Sequence, residues 1–310
     1  TSKNKLMEPI YIRQTELLLR VLPYIHEPGV FALHGGTAIN LFHDEMPRLS
    51  VDIDLTYLPI EDRETDLKAI KANLEEIAAE LRRVVPGIQL TNPNHAMGEF
   101  KLFCNLKGVQ IKIEVNTINR GVIGDVENRM LCITAQEKFD QFFEMRTVPR
   151  NQLYGGKIIA ALDRQHPRDI FDTMRLLDKE TIDEEIIKGF LFCLLSSSKP
   201  MHEILEPVFK DQQSAIDTQF KGMTDVDFTY GVYEHQRIRL LEAILKSLNG
   251  QHLHFLRSIA ENKPDWIFGD WSNFPGISWK LKNLLELEKN NKSKFQEQLD
   301  ALSRINIDLR

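Results

Sequence analysis

Two aspartates one residue apart inside an alternating run set the tightest limit on this chain. In Val51-Asp52-Ile53-Asp54-Leu55-Thr56 apolar and polar residues alternate, which is the period of a strand with one buried face. Residues i and i+2 of a strand share a face, so Asp52 and Asp54 project together, ~7 Å apart at their Cα atoms, while Val51, Ile53 and Leu55 point to a core. Like charges so placed repel each other, and a divalent cation offsets the repulsion. Hard oxygen donors suit Mg2+, which usually takes one or two carboxylates plus substrate phosphates. A lone D-x-D is more often a solvated strand face, so what flanks the pair decides its meaning.

Upstream, a short strand, Val30 to Leu33, runs into Gly35-Gly36-Thr37 and then a short helix. Glycines let the backbone approach a phosphate closely, and a helix start offers unpaired N–H groups to an anion. Downstream, Glu61 to Val85 reads as an amphipathic helix stopped by Pro86-Gly87. Two strands follow, Glu99 to Leu106 and Val109 to Thr117, joined at Lys107-Gly108 as a hairpin. In the second, Val109, Ile111, Ile113 and Val115 form the apolar face, and Gln110, Lys112, Glu114 and Asn116 the polar one. If that strand neighbours the D-x-D strand, Glu114 joins Asp52 and Asp54 as a third carboxylate. Such a set can hold two metal ions and clamp the attacking and leaving oxygens of a phosphoryl transfer.

A helix is also expected from Pro9 to about His26. From about Thr134 the strand signals end and helical patterns take over: Ala135 to Arg146, Leu153 to Arg164, Arg168 to Leu177, Glu184 to Leu195 and more beyond. A length of 310 residues accommodates two cores, and the boundary is drawn at residue 147. The expected fold is α+β: a mixed-sheet domain over 1–147, then an all-helical domain over 148–310.

Composition narrows the function classes. A net charge of −6 disfavours a protein that coats nucleic acid nonspecifically. One segment runs against that sign: residues 146–175 hold six Arg or Lys against three acids. Its helix would put Lys157 and Arg164 on one face, with Arg168 and Asp172 as i,i+4 partners. That charge suits a triphosphate or an acceptor phosphate; the alternative is an ion-pair network holding the structure together. Cys104, Cys132 and Cys193 lie too far apart for a zinc or disulfide framework. No apolar run is long enough to span a membrane and no signal peptide is visible, so a cytoplasmic address is expected.

GGTAINLFHDEMPRLSVDIDL, residues 35–55, resembles the first motif of the AbiEii/MenT toxins, a branch of the DNA polymerase β-like nucleotidyltransferases. The stretch LYGGKIIAALDRQHPRDIFD, residues 153–172, is similar to that family's later motif. The resemblance implies a polymerase β-like nucleotidyltransferase domain followed by helices. It also implies Mg2+, with Mn2+ as the alternative, and a nucleoside triphosphate as co-substrate. Asp52, Asp54 and Glu114 would be catalytic carboxylates and metal ligands, although the family often has Asp where Glu114 stands. Asp169 matches a motif acid tied to activity. Gly35, Gly36, Thr37, Lys112, Lys157 and Arg164 make up the expected nucleotide-binding set.

The same resemblance implies the toxin of a type IV-like toxin–antitoxin or abortive-infection system active in phage defence. Its acceptor would be RNA, the tRNA 3′ end foremost, and a cognate antitoxin its partner. Protein or small-molecule acceptors are the enzyme alternative, and a non-catalytic GTP-binding module is the rival from another class. Residues 264–294 carry Trp266, Trp271, Trp279 and several lysines; core packing is a commoner role for such residues than stacking on RNA.

Overall fold

A computed structural model describes residues 7–26, 29–92 and 100–305. The chain divides into two compact units. The first holds the residues up to Pro149 together with Thr218–Asp227, and the second holds Arg150–Asp217 and the residues from Phe228 onward.

The first unit opens with α1 (Pro9–Val21) and α2 (Pro23–His26), one expected helix split where Pro23 offers no N–H. Strand β1 (Phe31–His34) leads into α3 (Gly35–Ala38) and a π-helical turn, Ile39–His43, closed by the Asp44 N–H donating to the Ile39 carbonyl, five residues back, at 2.8 Å. Then come β2 (Asp52–Tyr57) and α4 (Arg63–Val84). Asp62 caps α4 by accepting from the Glu64 and Thr65 N–H groups, and its stripe of Ile70, Leu74, Ile77, Ala78 and Leu81 is buried. Strands β3 (Gln89–Thr91), β4 (Phe100–Leu106), β5 (Val109–Asn116) and β6 (Glu127–Met130) follow, then α5 (Ile133–Phe139) and β7 (Glu144–Thr147).

Among the described residues these strands form one mixed sheet in the order β3-β4-β5-β2-β1-β7-β6. β2 pairs parallel with β5 and antiparallel with β1, so the D-x-D strand is interior. The β4–β5 turn has Lys107 at φ 52° and Gly108 at φ 76°, the pair of left-handed residues that a two-residue hairpin of matching twist requires. Glu99, expected to start β4, lies outside the described residues.

Two expectations need correction. The helix over Ala135 to Arg146 is in fact α5, ended by Asp140 in a left-handed conformation (φ 51°), and the chain resumes as β7. Strands therefore continue past Thr134, and β7 pairs parallel with β1. β3 and β6 carry no apolar alternation to announce them. The first unit runs to Pro149, beside the expected boundary at 147, and Thr218–Asp227 returns to it. Three hydrogen bonds hold that returning segment: Leu49 N to the Met223 carbonyl at 2.8 Å, Thr224 Oγ1 to the Pro47 carbonyl at 2.7 Å and Glu8 N to the Gly222 carbonyl at 2.8 Å.

In the second unit every regular element of the described residues is helical: α6 (Arg150–Asp163), α7 (Pro167–Lys179), α8 (Glu184–Ser196), α9 (Met201–Leu205), α10 (Gln213–Ala215), α11 (Tyr230–Ser247), α12 (Gly250–Ala260), α13 (Pro275–Asn290) and α14 (Lys292–Arg304). α6 and α8 touch backbone to backbone. A Cβ on Gly155 would lie 2.3 Å from the Gly189 carbonyl carbon, and one on Gly189 1.9 Å from the Asn151 carbonyl oxygen. Glycine in the LYGGK stretch thus serves helix packing. Trp271 is buried and packs edge-on against Phe192 and Phe255; Trp266 packs on Phe255, and Trp279 is exposed. No helix among the described residues is long and apolar enough to cross a membrane. The three cysteines are free thiols, and burial pushes Cys104 up to about 12 and Cys132 up to about 11.

Two predictions follow from this packing. Gly189→Ala is expected to destabilise the protein by roughly 3 kcal/mol, read by urea unfolding. Gly231→Ala, where the new Cβ has nothing nearer than 4.0 Å, should be neutral or slightly stabilising.

Lys280 is buried, donates to the Lys199 carbonyl at 2.6 Å, and is held down at about 8 by its burial. Unfolded, it keeps its proton to its ordinary 10.5. The unfolded state therefore binds the extra proton between those values, and stability rises with pH across that window. The stability of wild type relative to Lys280→Met should climb from pH 8 to 10 by at most ~1.4 kcal/mol per pH unit; a flat difference would contradict the burial.

Candidate active site

The site is assembled where β1 ends. Gly35 follows the strand at φ +70°, and a Cβ there would lie 2.6 Å from Asp54 Oδ2. Glycine is thus required twice at this position, for the left-handed backbone and for the carboxylate pressed against it. A Cβ on Gly36 would lie 2.5 Å from Arg48 Nη2. The register, His34 opposite Asp54, is what brings the turn onto the acid pair.

Thr37, expected to line a triphosphate, is 1% exposed. Its hydroxyl donates to the Asp52 carbonyl at 2.5 Å and shares a hydrogen bond of 2.7 Å with Ser50 Oγ. The side chain therefore bolts the turn to the start of β2. Asn40 Nδ2 donates back to the Gly36 carbonyl at 2.9 Å and fixes the turn from the other side.

Arg48 is the residue that sequence reasoning missed. It is 2% exposed, and Nη1 donates to the Leu49 carbonyl at 3.0 Å. Its loop is held by the bonds from Met223 and Thr224 on either side of it. The available signal was an arginine between the apolar Met46 and Leu49, where no solvated helix face exists to carry a charge.

On β2 the burial alternates as the sequence implies: Ile53 and Leu55 are enclosed, and Asp52 and Asp54 are half-exposed on the other face. β5 places Lys112 opposite Asp52 and Glu114 opposite Asp54. The Glu114 carboxylate is taken by two ammonium groups, Lys112 Nζ at 2.5 Å and Lys101 Nζ at 3.4 Å. Burial raises its affinity for a proton, but the hydrogen bond and charge of Lys112, with Lys101 behind it, hold it below the usual range. On Lys112 burial works the other way and is outweighed by Glu114, Asp52 and Asp54, which hold the ammonium above its ordinary value.

Among the described residues no three His, Cys, Asp or Glu side chains are gathered closely enough to hold an ion. The register thus delivers Glu114 to the neighbourhood of the aspartates, and the lysines engage it there. Asp52 and Asp54, two hard oxygen donors on one face, fit a divalent cation that completes its shell with phosphates and water. They are the part of the expected ligand set to which that chemistry applies.

In the second unit the later motif forms a buried network. Lys157 is 5% exposed, and its ammonium lies 2.9 Å from Asp169 Oδ1 and 3.0 Å from Asp172 Oδ2, both acids being enclosed. Arg164 adds Nε to Asp169 Oδ2 at 2.6 Å and Nη2 to Oδ1 at 3.0 Å. Burial works against the Asp169 charge, but Lys157 and Arg164 prevail and hold its carboxyl far below the usual range. His166 Nδ1 caps α7 by accepting from the Arg168 N–H at 3.1 Å. Lys157 and Asp169, expected to act on nucleotide, are therefore packed as a tie between α6 and α7. The Arg164 side chain is the exposed member of the group, at 65%. Removing one partner of such a tie typically costs ~3–5 kcal/mol.

Three comparisons bear on the identity of this arrangement. The sequence model of the family described as nucleotidyl transferase AbiEii toxin, type IV toxin–antitoxin system, matches residues 16–283. Among solved structures the chain is similar to MenT4, a nucleotidyltransferase toxin from Mycobacterium tuberculosis, at 12% sequence identity and a TM-score of 0.59, over 90% of this chain and 93% of that one. At that identity the likeness is one of fold. A comparison with curated proteins gives no match.

The charge arrangement is testable on its own. In Lys112→Met the burial of Glu114 is left with only Lys101 against it, so its carboxyl should titrate at a higher pH than in wild type, read by 13C NMR of the side chain. An unmoved titration would mean that Lys112 is not what holds it low.

Proposed function

The chain belongs to the AbiEii family of nucleotidyltransferase toxins, and from that premise we propose that it transfers a nucleoside monophosphate from a triphosphate to the 3′ end of an RNA, with tRNA as the acceptor class. Family membership carries the coarser part: a nucleotidyltransferase toxin that uses a nucleoside triphosphate and is opposed by an antitoxin. Acceptor, ion and residue roles are our reading. Its cellular setting would be the cytoplasm, and its biological role a growth arrest of the abortive-infection kind.

The observation that supports this reading is the contact between the glycine turn and the acid pair, 2.6 Å from an added Gly35 Cβ to Asp54 Oδ2. A triphosphate lying along the Gly35-Gly36 backbone has its α-phosphate beside Asp52 and Asp54. A divalent cation of the Mg2+ class, held by those two carboxylates, would supply neutralising charge for the phosphates. Arg48, behind Gly36, keeps the turn at a fixed height and adds positive charge beneath it. Thr37 holds the turn and β2 in one frame, so that phosphate and carboxylates keep their spacing.

In the transfer the acceptor hydroxyl oxygen bonds to the α-phosphorus as the bond to the in-line bridging oxygen breaks, pyrophosphate leaves and the hydroxyl proton passes to solvent. Glu114 is poorly suited to take the hydroxyl's proton, because Lys112 and Lys101 already stabilise its charged form. Its part is to position Lys112 beside the aspartates. Lys157 and Asp169 contribute by holding α6 against α7, which leaves Arg164 as the motif's exposed cation.

The test is to incubate the protein with Mg2+, total cellular RNA and each α-labelled nucleoside triphosphate in turn, beside Asp52→Ala/Asp54→Ala. We expect label in tRNA-sized RNA with wild type, and at least a hundredfold less with the variant. Label in protein or in a small molecule would move the acceptor to another class, and nucleotide binding with no pyrophosphate released would leave only a binding module.

A further inference from the structure

β4 alternates with unusual regularity: Phe100, Leu102, Cys104 and Leu106 are buried, and Lys101, Phe103 and Asn105 are turned to the other face. That face is the polar one, shared with the aspartates through the register. Phe103 stands opposite Lys112, and Lys112 opposite Asp52. The next row runs from Lys101 through Glu114 to Asp54. Neighbouring strands lie ~4.8 Å apart, so Phe103 is ~10 Å from Asp52 along the row. A half-buried phenylalanine thus sits between lysines on a polar sheet face, one nucleotide's reach from the carboxylates.

Topology decides which partner this face suits. The glycine turn follows β1, on one side of β2, and Lys112, Lys101 and Phe103 lie on β5 and β4, on the other. In-line displacement puts the leaving pyrophosphate and the attacking hydroxyl on opposite sides of the α-phosphate. With the triphosphate tail on the turn, the acceptor comes in over β5 and β4. Lys112 and Lys101 flank Glu114 there at 2.5 and 3.4 Å, with 29% and 24% of their side chains exposed, so both ammonium groups lie on the face that an incoming backbone phosphate would cross.

We propose that the outer face of β4 and β5 is the acceptor site, where Phe103 stacks a terminal base of single-stranded RNA and Lys101 and Lys112 engage its last backbone phosphates. This rests on the RNA reading above and adds to it a surface and a mode of recognition. Stacking on one ring tolerates any base, because every base has a π-face. Choice of acceptor by this surface then comes from a free, unpaired 3′ end more than from its sequence.

The probe is a 5′-fluorescein single-stranded RNA hexamer ending in CCA, measured by anisotropy against wild type, Phe103→Leu, Phe103→Trp and Lys101→Gln. Affinity for a non-hydrolysable triphosphate is measured in parallel. We expect Phe103→Leu to keep the fold and triphosphate affinity but weaken RNA binding roughly tenfold, Phe103→Trp to bind at least as well as wild type, and Lys101→Gln to lower the salt slope by about one. Unchanged RNA affinity in Phe103→Leu overturns the proposal, as does an equal loss for RNA and triphosphate. Failure of wild type to bind the hexamer overturns it too. If wild type nevertheless labels RNA in the transfer assay, only this surface falls; if it labels none, the RNA reading falls with it.

Discussion

The backbone at Gly35 and Gly36 lies against the Asp54 carboxylate and the Arg48 guanidinium with no room for a side chain on either residue. That approach ties together β1, the turn, β2 and the loop before it. It explains why the Thr37 hydroxyl is where it is, since its bond to the Asp52 carbonyl holds the turn down on β2. It also explains why Thr218–Asp227 leaves the helical unit. Its bonds to Pro47 and Leu49 steady the loop that carries Arg48.

Charge is the second constraint. Two aspartates share one strand face, and across from them the Lys112 ammonium, opposed by its burial, is held above its ordinary value by Glu114, Asp52 and Asp54 together. The same lysine keeps Glu114 low and engaged. In the second unit the Lys157, Arg164, Asp169 and Asp172 network solves a related problem inside a helical core, where burial is affordable only because each charge meets its opposite. The two motifs thus use acids and bases differently, one facing outward and one closed.

Period and turn chemistry made most of the first unit readable. The alternation at Val51 to Thr56 announced β2, Lys107-Gly108 between two strand patterns announced the hairpin, and the pattern in Val109 to Asn116 put Glu114 on the polar face that the register brings beside the aspartates. β3, β6 and β7 escaped because short edge or peripheral strands take their pairing from the sheet and not from their own alternation. Lys157 enters the expected nucleotide-binding set by resemblance, and a lysine's spacing on a helix does not reveal what faces it. Only the fold shows Asp169 and Asp172 closing over the ammonium. Arg48 was hidden for the same reason, since no sequence pattern names the Leu49 carbonyl it donates to or the Gly36 backbone it lies against.

The central claim is that the turn and the two aspartates form one metal–triphosphate site. The most direct measurement is water-proton relaxation enhancement of Mn2+ with a non-hydrolysable triphosphate, for wild type and Asp52→Asn/Asp54→Asn of equal thermal midpoint. The account predicts a ternary complex with wild type and none with the variant. A variant that forms the complex as tightly as wild type would contradict it, and would send the search for the site elsewhere in the chain.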